Sequence, residues 1–320
     1  RLREEEVAPV EVAEILDPAA LEHAVPARDR HRMEDPGRLM SIVAERAAKR
    51  LIGYSLELGG KNPMIIMPDA DLELALYGAL FAGFGTAGQR CTSLGTLWIH
   101  DSVYDKFLKM YADKVASSKV GDPMEDVLFG PMIAEKYLAT HEENLKMIQP
   151  HHTVHGSTGI GRITKDNPRE GFVGDPEAGV FVHPTIVAGI KKEDALYNTE
   201  TFGPLVTVGR FSTIEEAIEL GNDHGFGLSA AIYTSDPKSV WTFREGISAG
   251  MLSINNSTSG AEAHLPFGGN GKSGNGSRQS GIWVLDVFTR WQSLNWDWSG
   301  KLQKAQMDNE EVPHNPDFKI

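Results

Sequence analysis

Cys91 is the single cysteine in 320 residues, and it stands in "FGTAGQRCTSLGT". Gly, Gln, Arg, Thr and Ser surround it, which is not the setting of an inert core thiol. A nucleophilic thiolate needs a polar, partly exposed site and donors for the oxyanion it creates. A Gly-rich turn after a helix end supplies backbone N–H groups for that purpose. A buried structural cysteine remains the alternative reading of the residue by itself. Glu57, in "SLELGGKNPMIIM", is an acid among apolar neighbours upstream of Cys91. Desolvation in such a wall raises a carboxyl pKa and makes a usable general base near neutral pH. The alternative is a Glu paired with a Lys at a strand end. Gly59 and Gly60 follow at once; they let backbone approach a flat ligand, or simply make a turn.

The elements that must hold these residues alternate in type. "RLMSIVAERAAKRLI" (38–52) has an amphipathic helical pattern with Gly53 as a stop. Residues 54–67 read as strand, turn, strand, and "PDADLELA" opens a long helix with acids suited to its N-terminus. Strands then alternate with helices through "GMLSINN", which predicts an α/β domain with a largely parallel sheet. Residues 149–180 read as a long Gly/Pro-rich loop. "TRWQSLNWDWSG" alternates like a strand and carries three of the six Trp, which points to an oligomer interface or to packing on its own domain.

Composition bounds the function. A net charge of -13 argues against a nucleic-acid partner, whose affinity comes from Lys and Arg. No apolar run reaches the length of about 18 residues needed to span a bilayer, so no membrane partner is expected. The N-terminal "RLREEEVAPVEVAEIL" has no apolar leader pattern. One cysteine forbids an intrachain disulfide and suits a cytoplasmic location.

"LELGGKN" (56–62) and "GQRC" (88–91), at this separation, resemble the two active-site signatures of the NAD(P)-dependent aldehyde dehydrogenase superfamily. "ETFGPLV" (200–206) is similar to its cofactor-ribose motif, "NDHGFGLSAAIYTSD" (222–236) to its following helix-loop-strand, and "PFGGNGKSGNG" (266–276) to its late glycine loop. The resemblance covers about residues 40–308. It implies an aldehyde dehydrogenase-like catalytic domain with a partial Rossmann-like cofactor domain. It further implies that Cys91 attacks the aldehyde and Glu57 activates water. Glu200 would hold the nicotinamide ribose, Phe202 would pack near the nicotinamide, and Leu58 and Gly59 would form the wall beneath it. The cofactor is NAD or NADP, the substrate a small aldehyde, no metal is called for, and a homo-oligomer (dimer or tetramer) is expected.

The expected domains are an irregular lead-in at 1–37 and a remnant of the dinucleotide-binding domain at 38–68. A catalytic domain follows at 69–290, then a C-terminal oligomerisation strand and tail at 291–320. The family's Pro-Trp-Asn motif and adenosine-ribose Lys have no counterpart here, and "HRMEDPGRLM" stands where a Gly-Ser-Thr-x-x-Gly motif belongs. Losing one oxyanion donor costs roughly 10²–10³ in rate. The alternative function is therefore a truncated non-redox fragment, an assembly partner or inactive, at most a thiol esterase.

Three other patterns invite a site. "GSTGIG" (156–161) follows Glu57 instead of preceding it and lies in the long loop. "GNGKSG" (269–274) has neither the strand nor the helix of a dinucleotide turn, and Pro266 stands where a phosphate-binding loop needs Gly. "HHTVH" (His151, His152, His155) lacks a Glu or Cys partner at ligand spacing. Arg90, before the nucleophile, also occurs in semialdehyde-oxidising members of the family, where a cation would steer an acidic substrate.

Overall fold

A computed structural model describes residues 36–298 and Gly300 of the chain. The lead-in at 1–35, with its short helix expected over 10–24, and the end of the tail lie outside the described residues. Two compact units are separated between Val287 and Phe288.

The first unit opens with α1 (Pro36–Arg50), close to the helix expected at 38–52. It ends at Leu51, whose φ is 53°, and not at Gly53. Three strand–helix pairs follow: β1 (Asn62–Ile66) with α2 (Leu72–Phe84), β2 (Leu94–His100) with α3 (Tyr104–Ser117), and the short β3 (Val120–Gly121) with α4 (Glu135–Leu145). Next come β4 (Thr153–His155), β5 (Phe172–Val173) and β6 (Thr185–Ala188). The short helix α5 (Ala195–Asn198), β7 (Leu205–Phe211) and α6 (Ile214–Asn222) follow, then β8 (Phe226–Gly227), β9 (Ser229–Tyr233) and α7 (Pro237–Gly246). β10 (Met251–Ile254), β11 (Asn270–Gly271) and α8 (Val284–Phe288) complete the elements.

Seven strands form one sheet in the order β10-β9-β1-β2-β7-β6-β4. Every pairing is parallel except that of edge strand β4 with β6. β1 is thus a central strand of the sheet that also holds β2 and β7, so the sheet crosses the boundary expected at residue 68. Both faces are covered, which is why the central strands read as continuous apolar runs and not as an alternation. Met64, Ile66, Leu97 and Ile99 pack with Ala79, Phe84, Phe107 and Tyr111 of α2 and α3 on one face. Ile65 and Trp98 turn to the other face, with Ala217, Leu220 and Phe243 of α6 and α7. Side-chain caps set where the helices begin: Asp71 accepts from the N–H groups of Glu73 and Leu74, and Asp236 from those of Lys238 and Ser239.

Two sequence expectations are corrected. Residues 54–61 form no strand; Glu57 makes only an isolated bridge to Gly274. Their donors go elsewhere: Leu56 N–H to the Asn275 side chain, Leu58 N–H to the Ser273 carbonyl and Gly60 N–H to the Glu200 carboxylate. Residues 289–298 are likewise not a strand in this chain, because alternation makes a strand only where a partner edge accepts its hydrogen bonds. In the second unit Trp296 and Trp298 stack with ring centroids 4.9 Å apart.

The long 149–180 segment is mostly irregular, as expected, but it is pinned. Arg169 is buried, and its guanidinium donates to the carbonyls of Val115 in the last turn of α3 and Ser118 just after it, and to Ser157 Oγ. Replacing Arg169 with Ala should therefore cost about 2–4 kcal/mol, since several buried acceptors lose their donor together. Urea unfolding measures this, and Arg169→Lys should recover little, because an ammonium cannot span the same fork of acceptors.

Candidate active site

The turn that carries Cys91 lies between α2 and β2 and is unusual in its backbone. Thr86, Ala87 and Gly88 take successive φ values of 56°, 54° and 65°. Gly88 has a reason beyond φ: a Cβ there would lie 2.2 Å from the Gly203 carbonyl oxygen. The nucleophile turn thus packs directly on the loop after Glu200.

Asn62, the first residue of β1, holds the turn. Its buried carboxamide donates to the Cys91 carbonyl at 2.8 Å and the Ser93 carbonyl at 2.7 Å, and accepts from Ser229 N–H at 3.0 Å. The sequence reading missed Asn62. It sits at the end of the "LELGGKN" (56–62) signature, but its partners are far along the chain and no local pattern names them.

Cys91 is a free, partly exposed thiol. Burial pushes its pKa up, and the Glu200 and Glu57 charges push it further; its own N–H and that of Thr92 act the other way. Arg90 does not offset these acids. Its guanidinium lies over the Phe81 ring, 5.4 Å from the centroid.

Glu57 stands as the sequence implied, a carboxylate in a desolvating wall. Burial pushes its pKa up to about 7, against the lowering pull of Arg278. Neither oxygen has a hydrogen-bond partner among the described residues. Both are buried and carry unused acceptor capacity.

Glu200 packs on the two glycines. One of its oxygens accepts from Gly60 N–H at 3.0 Å, and a Cβ on Gly59 would lie 1.7 Å from the other. No side chain fits at position 59 while Glu200 lies there. Burial raises Glu200 to about 7. Lys61, fully buried and without a hydrogen-bond partner, faces it electrostatically, and burial lowers its pKa to about 7. Phe202 adopts φ 42° and is 40% exposed. Asn144 on α4 donates to the neighbouring Thr201 carbonyl and steadies this loop. A shallow cleft is lined by Gly60, Arg90, Ser93, Glu200 and Phe202, among others. The structure thus brings Glu57, Gly59, Cys91, Glu200 and Phe202 to one locus. Leu58 is nearby, but its N–H is committed to Ser273.

The other patterns have structural employment. In "GSTGIG", Ser157 Oγ bonds His183 Nδ1 at 2.7 Å. In "GNGKSG", Lys272 Nζ donates to the His224 carbonyl, and β11 pairs with β8. The histidines gain a carboxylate that their own neighbourhood in sequence lacked: His151, His152 and Asp194 converge, with ligand atoms within 4.8 Å. Gln149 N–H donates to His152 Nδ1, so the ring proton sits on Nε2 and donates to Asp194 at 2.9 Å. A metal would need that Nε2 lone pair and a proton on Nδ1. The hydrogen bonding is that of a loop latch.

Two outcomes follow for this site. Asn62→Asp turns two donations into repulsions between oxygens; it should lower stability by about 2–4 kcal/mol in urea unfolding and speed amide exchange over residues 89–93. Glu57→Gln should act oppositely at alkaline pH. The unfolded chain loses the Glu57 proton near 4.5, the ordinary value for a glutamate, whereas the folded chain keeps it to about 7. Stability therefore falls as pH rises through that window. Removing the charge should stabilise the protein by about 1–2 kcal/mol above pH 7, after allowance for partial exposure, with the gain vanishing below about pH 4.5.

Comparison with known proteins agrees with this geometry. Residues 37–294 match the model of the aldehyde dehydrogenase family. Benzaldehyde dehydrogenase YfmT of Bacillus subtilis is 34% identical over 260 residues, covering 80% of this chain and 49% of that protein. Alpha-aminoadipic semialdehyde dehydrogenase of Rattus norvegicus is 33% identical over 268 residues, covering 83% and 46%. The crystal structure of betaine aldehyde dehydrogenase from Staphylococcus aureus in complex with NAD+ superimposes with a TM-score of 0.71 at 30% identity, over 81% of this chain and 52% of that one. The chain spans about half the length of the curated relatives it matches. With the mixed sheet, the nucleophile turn and the glycine cradle in place, this chain belongs to the aldehyde dehydrogenase family.

Proposed function

We propose that this chain is the catalytic part of an NAD(P)-dependent aldehyde dehydrogenase that oxidises an aldehyde to a carboxylic acid through a thioester on Cys91. The observation that carries the reading is the packing of Glu200 on Gly59 and Gly60 beside Cys91 and the unpartnered Glu57. A carboxylate over side-chain-free backbone suits a ribose diol, which it can bind with two hydrogen bonds, and the glycines suit the flat ring beyond it. Glu200, Gly59 and Phe202 would hold the nicotinamide end of NAD or NADP, with Leu58 in the wall behind. Bound there, the oxidised nicotinamide supplies the hydride acceptor.

The protein's own groups do the rest. The Cys91 sulfur adds to the carbonyl carbon after losing its proton, giving a thiohemiacetal that oxidation carries to the thioester. Its raised pKa means that the thiolate is scarce at neutral pH while both acids are charged. Glu57 then takes a proton from water. The hydroxide adds to the thioester carbonyl, the Cys91 thiolate leaves, and the acid departs. A base with a pKa near the working pH balances availability against strength.

Arg90 on the cleft wall favours a carboxylated aldehyde. Among the relatives, the names of an alpha-ketoglutaric and an alpha-aminoadipic semialdehyde dehydrogenase are in line with that class. A homo-oligomer formed through the Trp-rich 291–298 segment is supported by Trp291 and Trp298, which are 90% and 81% exposed. A cytoplasmic location accords with the lone free thiol. Among the described residues, no helix is long and apolar enough to cross a membrane.

Calorimetric titration with NAD and with NADP tests the reading. Saturable binding that Glu200→Ala weakens at least tenfold is expected. Glu57→Gln should slow breakdown of the Cys91 acyl-enzyme by about 10²–10⁴, seen as an acyl adduct in intact-mass spectra. No binding of either nucleotide, with Cys91 still acylated by an activated ester, would leave only a thiol esterase.

A further inference from the structure

Arg278 lies in the late glycine loop and is the cation that bears on Glu57. Its guanidinium is held entirely by neutral oxygens: the Asn270 side chain at 2.7 Å, the Ser277 carbonyl at 3.0 Å and the Gly269 carbonyl at 3.3 Å. Both charged side chains lie on the Cβ side of Gly268. A Cβ on it would lie 2.9 Å from Glu57 Oε1 and 3.2 Å from Arg278 Cδ, so both pack against the same bare backbone. Phe267 and Gln279 exchange hydrogen bonds of 2.6 and 2.7 Å on either side of this contact. The loop is also fastened to the segment carrying Glu57. Ser277 Oγ bonds Ser55 Oγ at 2.7 Å, and the Asn275 side chain bonds Leu56 N–H and the Tyr54 carbonyl. Arg278 is therefore held in place, yet it does not close a hydrogen bond on the carboxylate.

We propose that Arg278 is a positioning residue that sets the acidity of Glu57 through space while leaving both carboxylate oxygens without a hydrogen-bond partner. The inference rests on Glu57 being the base. A direct ion pair would drop a carboxyl pKa by about 1–3 units and occupy the oxygen that must take the proton. No nearby cation would leave the desolvated acid protonated above neutral pH. The stand-off, held by the neutral acceptors on the guanidinium, gives a base without an ion-pair partner. The remaining titratable groups here are Cys91, Glu200 and Lys61. Glu57 and Glu200 bear on the thiol, Lys61 bears on Glu200, and Arg278 bears on Glu57.

The test is the titration of the Glu57 carboxyl by infrared difference spectroscopy on the whole purified chain, with Glu57→Gln as the blank. Arg278→Gln should move the midpoint upward by about one pH unit; Arg278→Lys should leave it near the original. A merely structural arginine would lower stability without moving the midpoint. If Arg278→Gln does not fold, Asn270→Asp serves instead, because a carboxylate bonded to the guanidinium cancels part of its field and should also raise the midpoint. An unmoved midpoint in whichever of these two variants folds overturns the proposal. Activated-ester hydrolysis in Glu57→Gln reports separately: a rate equal to the parent's would sink the reading of Glu57 as base, while the midpoint would still decide the charge coupling.

Discussion

The carboxamide of Asn62 is the contact on which the site depends. One planar group at the entry of a central strand fastens the nucleophile turn at two carbonyls and β9 at one N–H. An amide suits this place because it offers two donors and an acceptor in a fixed plane, and here those three bonds go to three backbone groups. The position of Cys91 is thereby referred to the most rigid part of the fold, the middle of a sheet buried on both faces. A turn with three successive left-handed residues would otherwise have little reason to hold one shape.

Around that anchor the protein gathers groups that disfavour one another. Glu57 and Glu200 are desolvated carboxylates, and both raise the pKa of the thiol they flank. Lys61 and Arg278 are cations set near one acid each, but neither forms an ion pair with it among the described residues. Stability would improve if these charges were paired or removed. Leaving them unpaired keeps oxygens and a sulfur available to an incoming molecule, the usual exchange of stability for reactivity at a site. The glycines belong to the same arrangement. Gly59, Gly88 and Gly268 each stand where a Cβ would strike a group of the site or its supporting loops, so shape and not flexibility accounts for them.

The imidazoles and the serine in the long loop show how a motif misleads when its partner is remote. His151 and His152 gain Asp194 only through the fold, and the backbone donor on His152 then settles which nitrogen carries the proton. Ser157 is engaged by His183 and Arg169, so its "GSTGIG" context serves the architecture of the loop.

Read alone, the sequence pointed to the α/β class and the alternation of its main helices and strands, and through its family resemblance to the candidates Cys91, Glu57, Gly59, Glu200 and Phe202. Periodicity and short signatures are local, and an unmixed βα alternation admits few folds. Only the tertiary structure decided that 54–61 is irregular while Asn62–Ile66 runs through the middle of the sheet. It also decided that 289–298 pairs with no edge here, that Asn62 holds the turn carrying Cys91, and that Arg278 lies close to Glu57. These outcomes turn on hydrogen bonds and fields between residues up to 224 positions apart. Such partners are chosen by which strands lie side by side, and no stretch of neighbouring residues carries that information.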